Sequence, residues 1–167
     1  MAEKKVRAIS FVETVRSLEK HVYKGQFMAS DGQVQEYMDI CAMIMDNPEQ
    51  WKLYFERRVG KLGIVGSGRS GAFLVGLLGR GMWYNQGKKY GLEWNGTIYP
   101  KGTQVALVDD IWVTGGTMFR LAEEAKKKGL LVRKIVVAWP WLYVNETSAE
   151  RLNEVADAAR VSRASDR

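Results

Sequence analysis

Val105-Ala-Leu-Val-Asp109-Asp110-Ile-Trp-Val-Thr114-Gly115-Gly116-Thr117 is an apolar run that ends in two carboxylates and passes into a loop of small and hydroxyl residues. The four apolar residues before Asp109 suit a strand buried on both faces, and Met118 to Lys128 carries Leu121, Ala122 and Ala125 at helical spacing. The stretch therefore reads strand, loop, helix, with Asp109 and Asp110 at the strand's carboxyl end. In open α/β sheets ligands bind in the crevice outside that end, and residues 114–117 open the helix with unpaired N–H groups and a positive dipole end. Gly115 and Gly116 let backbone approach an anion closely, and Thr114 and Thr117 offer hydroxyls to cap the helix or to donate to phosphate oxygens. Two adjacent carboxylates need a partner, either hydroxyl donors or a hard divalent cation. A sugar phosphate supplies both halves of the pattern: phosphate for the loop, ribose hydroxyls for the diacid.

Outward from this stretch, the chain alternates strand and helix from Lys61 onward. Leu62 to Val65, Met82 to Tyr84, Thr103 to Val108 and Val132 to Trp139 read as strands, and Ala72 to Leu78 as a helix, which implies a parallel sheet. Gly66-Ser67-Gly68-Arg69-Ser70-Gly71 between the first strand and that helix carries three glycines, suited to close approach by a pyrophosphate, and Arg69 adds a forked cation. The same turn can be read as a mononucleotide loop, but no Gly-Lys-Ser/Thr follows, so it is not a P-loop. Between Tyr84 and Pro100 runs a connection without evident structure that carries Lys88 and Lys89; it reads either as a functional loop or as a surface hairpin with Trp94 packing its base. Thr147-Ser-Ala-Glu150 resembles a capping box for a last helix through Leu152, Val155 and Ala158, and the tail after Val161 is expected to fray.

Towards the amino terminus, Phe11, Val15, Leu18 and Val22 recur at helical spacing, with Ser10 as cap and His21 beside the stripe as a helix-surface residue. Lys24 to Gly32 reads as a short extended piece entering a turn, and Asn47-Pro48-Glu49 starts a helix with Trp51, Tyr54 and Phe55 on one face. The 167 residues, 46% hydrophobic and 26% charged, fit one ordinary core, neither disordered nor membrane-embedded. No span reaches the roughly eighteen apolar residues of a membrane helix and no signal-peptide core follows Met1, so the expected location is the cytoplasm. A single cysteine, Cys41, permits no internal disulfide and reads as a buried small hydrophobe; a single histidine excludes a His-rich metal site. The balance of 25 basic against 19 acidic residues gives +6, which suits a polyanionic small molecule as well as nucleic acid. Much of the excess sits in Glu123 to Gly129, a helix end where cations complement the dipole, and in Arg160 and Arg163, which read as solvated faces.

The strand, Asp109-Asp110, three residues and Thr114-Gly-Gly-Thr117 together resemble the signature with which type I phosphoribosyltransferases bind 5-phosphoribosyl-1-pyrophosphate (PRPP). The resemblance implies that Asp109 and Asp110 hold the ribose hydroxyls, that Val113, Thr114, Gly115, Gly116 and Thr117 wrap the 5′-phosphate, and that Ser67, Gly68, Arg69 and Ser70 hold pyrophosphate. It further implies that Lys88 or Lys89, on a loop that closes over the site, neutralises the departing pyrophosphate; that Mg²⁺ arrives with the substrate and touches at most Asp109 and Asp110; and that the protein is a homodimer. Gly25 to Gly32 and Tyr37-Met-Asp39 resemble the start of orotate phosphoribosyltransferases, which makes orotate the expected acceptor and Phe27, Ser30, Tyr37 and Trp139 the candidate base contacts. Here Ser30 and Asp31 stand where those enzymes carry lysine and serine, and Ala138-Trp139-Pro140-Trp141 where they carry an arginine; Trp139 and Trp141 either stack a base or pack in the core. A purine or other base remains the alternative acceptor. A different class is a non-catalytic PRPP-sensing regulator or nucleic-acid-binding protein on the same fold, but no helix-turn-helix or RNA-binding signature is visible, and a nucleic-acid partner is not expected. The expected fold is α/β: an open, mostly parallel twisted sheet flanked by helices, with a small N-terminal hood. The expected organisation is one domain, 1–167, comprising N-terminal helices and hood (1–58), a PRPP-binding core (59–145) and a C-terminal helix and tail (146–167).

Overall fold

The computed structural model describes residues 7, 9, 11–29, 32–85, 92–112, 115–140 and 160–162. The chain divides into two compact units, Met1–Tyr54 and Phe55–Arg167.

The first unit opens with helix α1 (Phe11–Glu19), followed by an antiparallel hairpin of β1 (Val22–Ala29) and β2 (Gly32–Met38), helix α2 (Ile40–Asp46) and the start of helix α3 (Pro48–Val59). Val22, which the apolar spacing placed on the first helix, instead opens β1, paired with Met38. The extended piece from Lys24 is thus one arm of a full hairpin, which a stretch lacking strict polar–apolar alternation does not announce. Asp39 caps α2 by accepting the Ala42 N–H at 2.9 Å, and Pro48 takes the first position of α3, where its missing N–H is harmless. Trp51, Tyr54 and Phe55 are buried as expected, whereas Cys41 on α2 is only half-buried. His21 has a partner remote in sequence: its Nε2 lies 3.0 Å from Oδ2 of Asp46, which also accepts the Ser17 hydroxyl at 2.6 Å. Ser10 lies outside the described residues.

The second unit is built on a six-stranded sheet. Its strands are β3 (Gly63–Ser67), β4 (Met82–Tyr84), β5 (Trp94–Gly96), β6 (Gln104–Trp112), β7 (Leu131–Pro140) and β8 (Arg160–Ser162), in the order β5-β4-β3-β6-β7-β8. All neighbours are parallel except β5, which runs antiparallel to β4. Helix α4 (Gly68–Leu78) links β3 to β4, and α5 (Gly116–Lys127) links β6 to β7. This is the mostly parallel, helix-flanked sheet expected from the sequence. The two crossovers depart in opposite directions from the central pair β3–β6, and because such crossovers are right-handed, α4 and α5 cover opposite faces. The alternation of side chains agrees. Ile64 and Val75 of α4 lie together beside Gly81. The next residue, Val65, joins Leu107, Ile135 and Val137 against Met118, Leu121 and Ala125 of α5. Each fully buried aliphatic side chain in these layers contributes about 1.5–3 kcal/mol.

β5 falls inside the connection between Tyr84 and Pro100 and pairs antiparallel with β4, as in the hairpin alternative; Trp94 stands opposite Tyr84 and packs on it at the hairpin's base, ring centroids 4.9 Å apart and planes tilted by 50°. Two boundaries differ from expectation. The glycine loop is shorter than it reads: Gly66 and Ser67 finish β3, and α4 begins at Gly68. Arg160–Ser162, assigned to the last helix and the fraying tail, instead adds β8 to the sheet, Arg160 opposite Lys134. Residues 141–159, including Trp141 and the capping box, lie outside the described residues. No described helix is long and apolar enough to cross a membrane.

Candidate active site

The point at which β3 sends its helix one way and β6 the other is a topological switch point, and the crevice beyond the carboxyl ends of such strands is where open α/β sheets take ligands. Of the expected phosphosugar residues, Ser67 to Ser70 reach this crevice from β3, and Asp109, Asp110 and Gly115 to Thr117 from β6.

From β3, Ser67 is the last residue and is buried. Gly68 follows at φ +59, a left-handed conformation that a side chain would strain, and α4 starts there with no side-chain cap. Arg69 is exposed in the first turn and makes no ion pair with any described residue. The turn is tight because Gly66 and Gly71 touch: a Cβ on either would lie 2.5 Å from backbone carbon of the other.

From β6, Asp109 and Asp110 lie within the strand rather than after it. Pairing with β7 runs on to Trp112, opposite Pro140, but pairing with β3 stops at Val108 because β3 has already turned into α4. The diacid therefore emerges beside the start of α4. Asp109 is buried and Asp110 half-buried. Burial pushes the Asp109 carboxyl well above the usual carboxylate range, and the charge of Asp110 beside it adds to the rise; the Asp110 N–H, 2.9 Å from Oδ1, and a hydrogen bond donated by the Ser70 hydroxyl act in the opposite sense. The Asp110 carboxylate accepts the N–H of Ile111 at 2.9 Å. The Ser70–Asp109 bond ties the two halves of the site together, and nothing in the spacing of 39 positions between them signals it.

Gly115, at φ +81, is the N-cap of α5 and supplies no side-chain hydrogen bond. Thr117, expected as a possible cap, sits within the first helical turn instead, half-buried. With neither α4 nor α5 closed by a side-chain cap, two helix N-termini present backbone N–H groups and positive dipole ends at the same end of the sheet, beyond the carboxyl ends of β3 and β6. That is an arrangement for anions, with a diacid between them for hydroxyls or a cation. Among the described residues no cluster of three metal-ligating side chains exists. Asp109 and Asp110 offer oxygen ligands of the kind a hard divalent cation takes, but fewer than its full set.

The other expected residues are placed less completely. Phe27 and Tyr37 lie on β1 and β2 of the first unit, and Trp139 lies on β7 opposite Ile111. Val113, Thr114, Lys88, Lys89 and Ser30 lie outside the described residues.

The sequence matches no protein-family model and no curated protein. Solved structures do match. An orotate phosphoribosyltransferase from Aeropyrum pernix aligns with a TM-score of 0.64 at 20% identity, covering 92% of each chain. The Mycobacterium tuberculosis orotate phosphoribosyltransferase with inorganic phosphate gives 0.65 at 14%, covering 92% of this chain and 95% of that one. Adenine phosphoribosyltransferase from Saccharomyces cerevisiae gives 0.61 at 20%, over 92% and 99%. At these identities the likeness is one of architecture, and it extends over nearly the whole chain: the protein has the phosphoribosyltransferase fold that its diacid strand and the loop after it led one to expect.

Proposed function

We propose that this protein is a PRPP-dependent phosphoribosyltransferase that joins the 5-phosphoribosyl group to a ring nitrogen of a nucleobase and releases pyrophosphate, with orotate as the first expected acceptor. The observation that carries the reading is the meeting of Asp109 and Asp110 with two uncapped helix N-termini at the sheet's switch point. In this reading the start of α5 takes the 5′-phosphate, the diacid holds the ribose hydroxyls, and the start of α4 with Arg69 takes the pyrophosphate. The new bond forms between the base nitrogen and C1 of the ribose as the C1–oxygen bond to pyrophosphate breaks, through a cationic, oxocarbenium-like state of the kind seen in glycoside chemistry. The protein needs no nucleophile for this. Its contributions are to orient the ribose and to stabilise negative charge as it grows on the leaving group, with Arg69 from the described residues and Lys88 or Lys89 from the connection between β4 and β5. Mg²⁺ bound to PRPP supplies further charge neutralisation, and Asp109 and Asp110 are the side chains that would reach it.

An uncharged base such as a purine is the second reading, favoured by the end of β7, where a buried Ala138 precedes Trp139 and no cation is present. A homodimer in the cytoplasm belongs to the proposal as well. Calorimetric titration of PRPP with Mg²⁺ tests the site directly. The expected result is one site per chain, lost when Asp109 and Asp110 are both changed to Asn; no binding by the native chain, or equal binding by the double variant, overturns it.

A further inference from the structure

The edge of the sheet opposite this site is basic. Of the five parallel strands, the four adjacent ones β4, β3, β6 and β7 each have a cation on the approach to them: Arg80, Lys61 and Lys101 two or three positions ahead of β4, β3 and β6, and Lys126 in the last turn of α5 ahead of β7. All four are exposed. Strands about 4.8 Å apart place these entries along a row of roughly 14 Å, a span of about four nucleotides at ~3.4 Å each. Contacts along the row support the order. Arg80 donates to the carbonyls of Leu62 and Gly60 at 2.8 and 2.9 Å, on either side of Lys61, and the Lys101 side chain lies against Gly129, just before β7.

Cations at helix C-termini are expected from the dipole alone, and Lys126 in the last turn of α5 fits that account. Lys101 does not, since it follows β5 and ends no helix, and Lys61 stands beyond the end of α3. Lys61, Lys101 and Lys126 make no ion pair with any described residue, whereas Glu124 nearby is already taken by Lys127 at 2.6 Å. At the Lys61–Arg80 end of the row opens a cleft of about 520 Å³, floored by Leu62, Gly63 and Tyr99 and rimmed by Lys61 and Arg80 with Thr97, Thr103 and Gln104. Lysine, arginine, hydroxyl and amide donors on one open surface are the set that meets phosphodiester oxygens, which take most protein–nucleic-acid hydrogen bonds.

We infer that the amino-terminal edge of the sheet is a docking surface for the phosphodiester backbone of a nucleic acid, separate from the PRPP site. No sequence motif for it exists, because its residues are brought together only by the parallel sheet. The contact is with backbone, so binding is independent of base sequence and steeply dependent on salt.

The test is fluorescence anisotropy of the full chain with a labelled RNA strand, the matching duplex, and poly-glutamate as a polyanion without phosphate, across a salt series. Tight binding to either nucleic acid with a linear salt dependence is expected, and the triple variant Lys61→Glu, Lys101→Glu, Lys126→Glu should weaken it at least tenfold and flatten the log–log salt slope by about 2 to 3. Circular dichroism and melting of the same variant show whether it is folded; Lys101→Gln alone, expected to lower the slope by about 1, serves if it is not. Unchanged binding in folded variants, no binding at low ionic strength, or equal affinity for poly-glutamate overturns the proposal. None of these substitutions touches the PRPP site, so pyrophosphate release should stay at the native level.

Discussion

Gly66 and Gly71 meet backbone to backbone across the turn from β3 into α4, so that a Cβ added to Gly66 would stand 2.5 Å from the Cα of Gly71. This contact draws the first turn of α4 in under the strand end and brings Ser70 to Asp109. Gly66→Ala or Gly71→Ala should therefore destabilise by about 1–3 kcal/mol or more, as overpacking against backbone does, and should also impair PRPP binding. Gly76, exposed in the last turn of the same helix with nothing within 4 Å of an added methyl, is the control: Gly76→Ala should be neutral or stabilise by up to about 0.5 kcal/mol. Urea unfolding of the three variants measures both.

The diacid should behave as a functional feature that costs stability. Because burial raises the folded-state pKa of Asp109, its contribution to stability is fully present below the ordinary carboxylate range and is lost as pH rises through the raised value. At neutral pH Asp109→Asn should therefore melt at or above the native temperature, and the difference should close as pH falls towards about 4, while turnover drops by roughly a hundredfold or more. Melting curves across pH, read beside activity, check both signs. A variant that is less stable than the native chain at neutral pH contradicts this account of the carboxyl.

Asp46 behaves oppositely. Hydrogen bonds from Ser17 and then His21 hold its carboxyl below the usual value, so its contribution is present above the ordinary carboxylate range and disappears as pH falls through the lowered folded value. The pair with His21 is about a third exposed at Asp46, and solvent screening limits the loss in Asp46→Asn to on the order of 0.5 kcal/mol. That loss should be measurable at neutral pH by chemical unfolding and absent in strong acid.

Arg69 is exposed at the start of α4 and makes no ion pair among the described residues, so its charge is available to a ligand. Arg69→Gln should leave the melting temperature within experimental scatter and lower kcat/KM for PRPP by about tenfold to a hundredfold, as loss of a charge-assisted contact does. Steady-state kinetics with PRPP varied shows it.

Much of this arrangement was legible in the sequence. The diacid strand, the glycine turn and the parallel sheet are local patterns: a run of apolar residues, three glycines in six positions, strands alternating with helices. The hairpin of β1 and β2 was not, because it lacks clean alternation, and β8 was not, because three residues joined to β7 by pairing alone carry no pattern. Nor could spacing reveal that Ser70 reaches Asp109 or that His21 finds Asp46. Such pairs are made by the topology, which places the ends of sequence-distant elements side by side. The extent of β6 past Asp109 has the same origin, since it is β7 that carries the strand on to Trp112.

The most direct test of phosphoribosyl transfer is the release of pyrophosphate from PRPP by the purified chain with Mg²⁺ and one base at a time. Release with orotate, abolished in the double variant Asp109→Asn, Asp110→Asn, is the result expected; release with adenine instead would keep the reaction and change the acceptor. No release with any nucleobase, from a chain that nonetheless binds PRPP, would contradict the enzymatic reading and leave a PRPP-binding protein in its place.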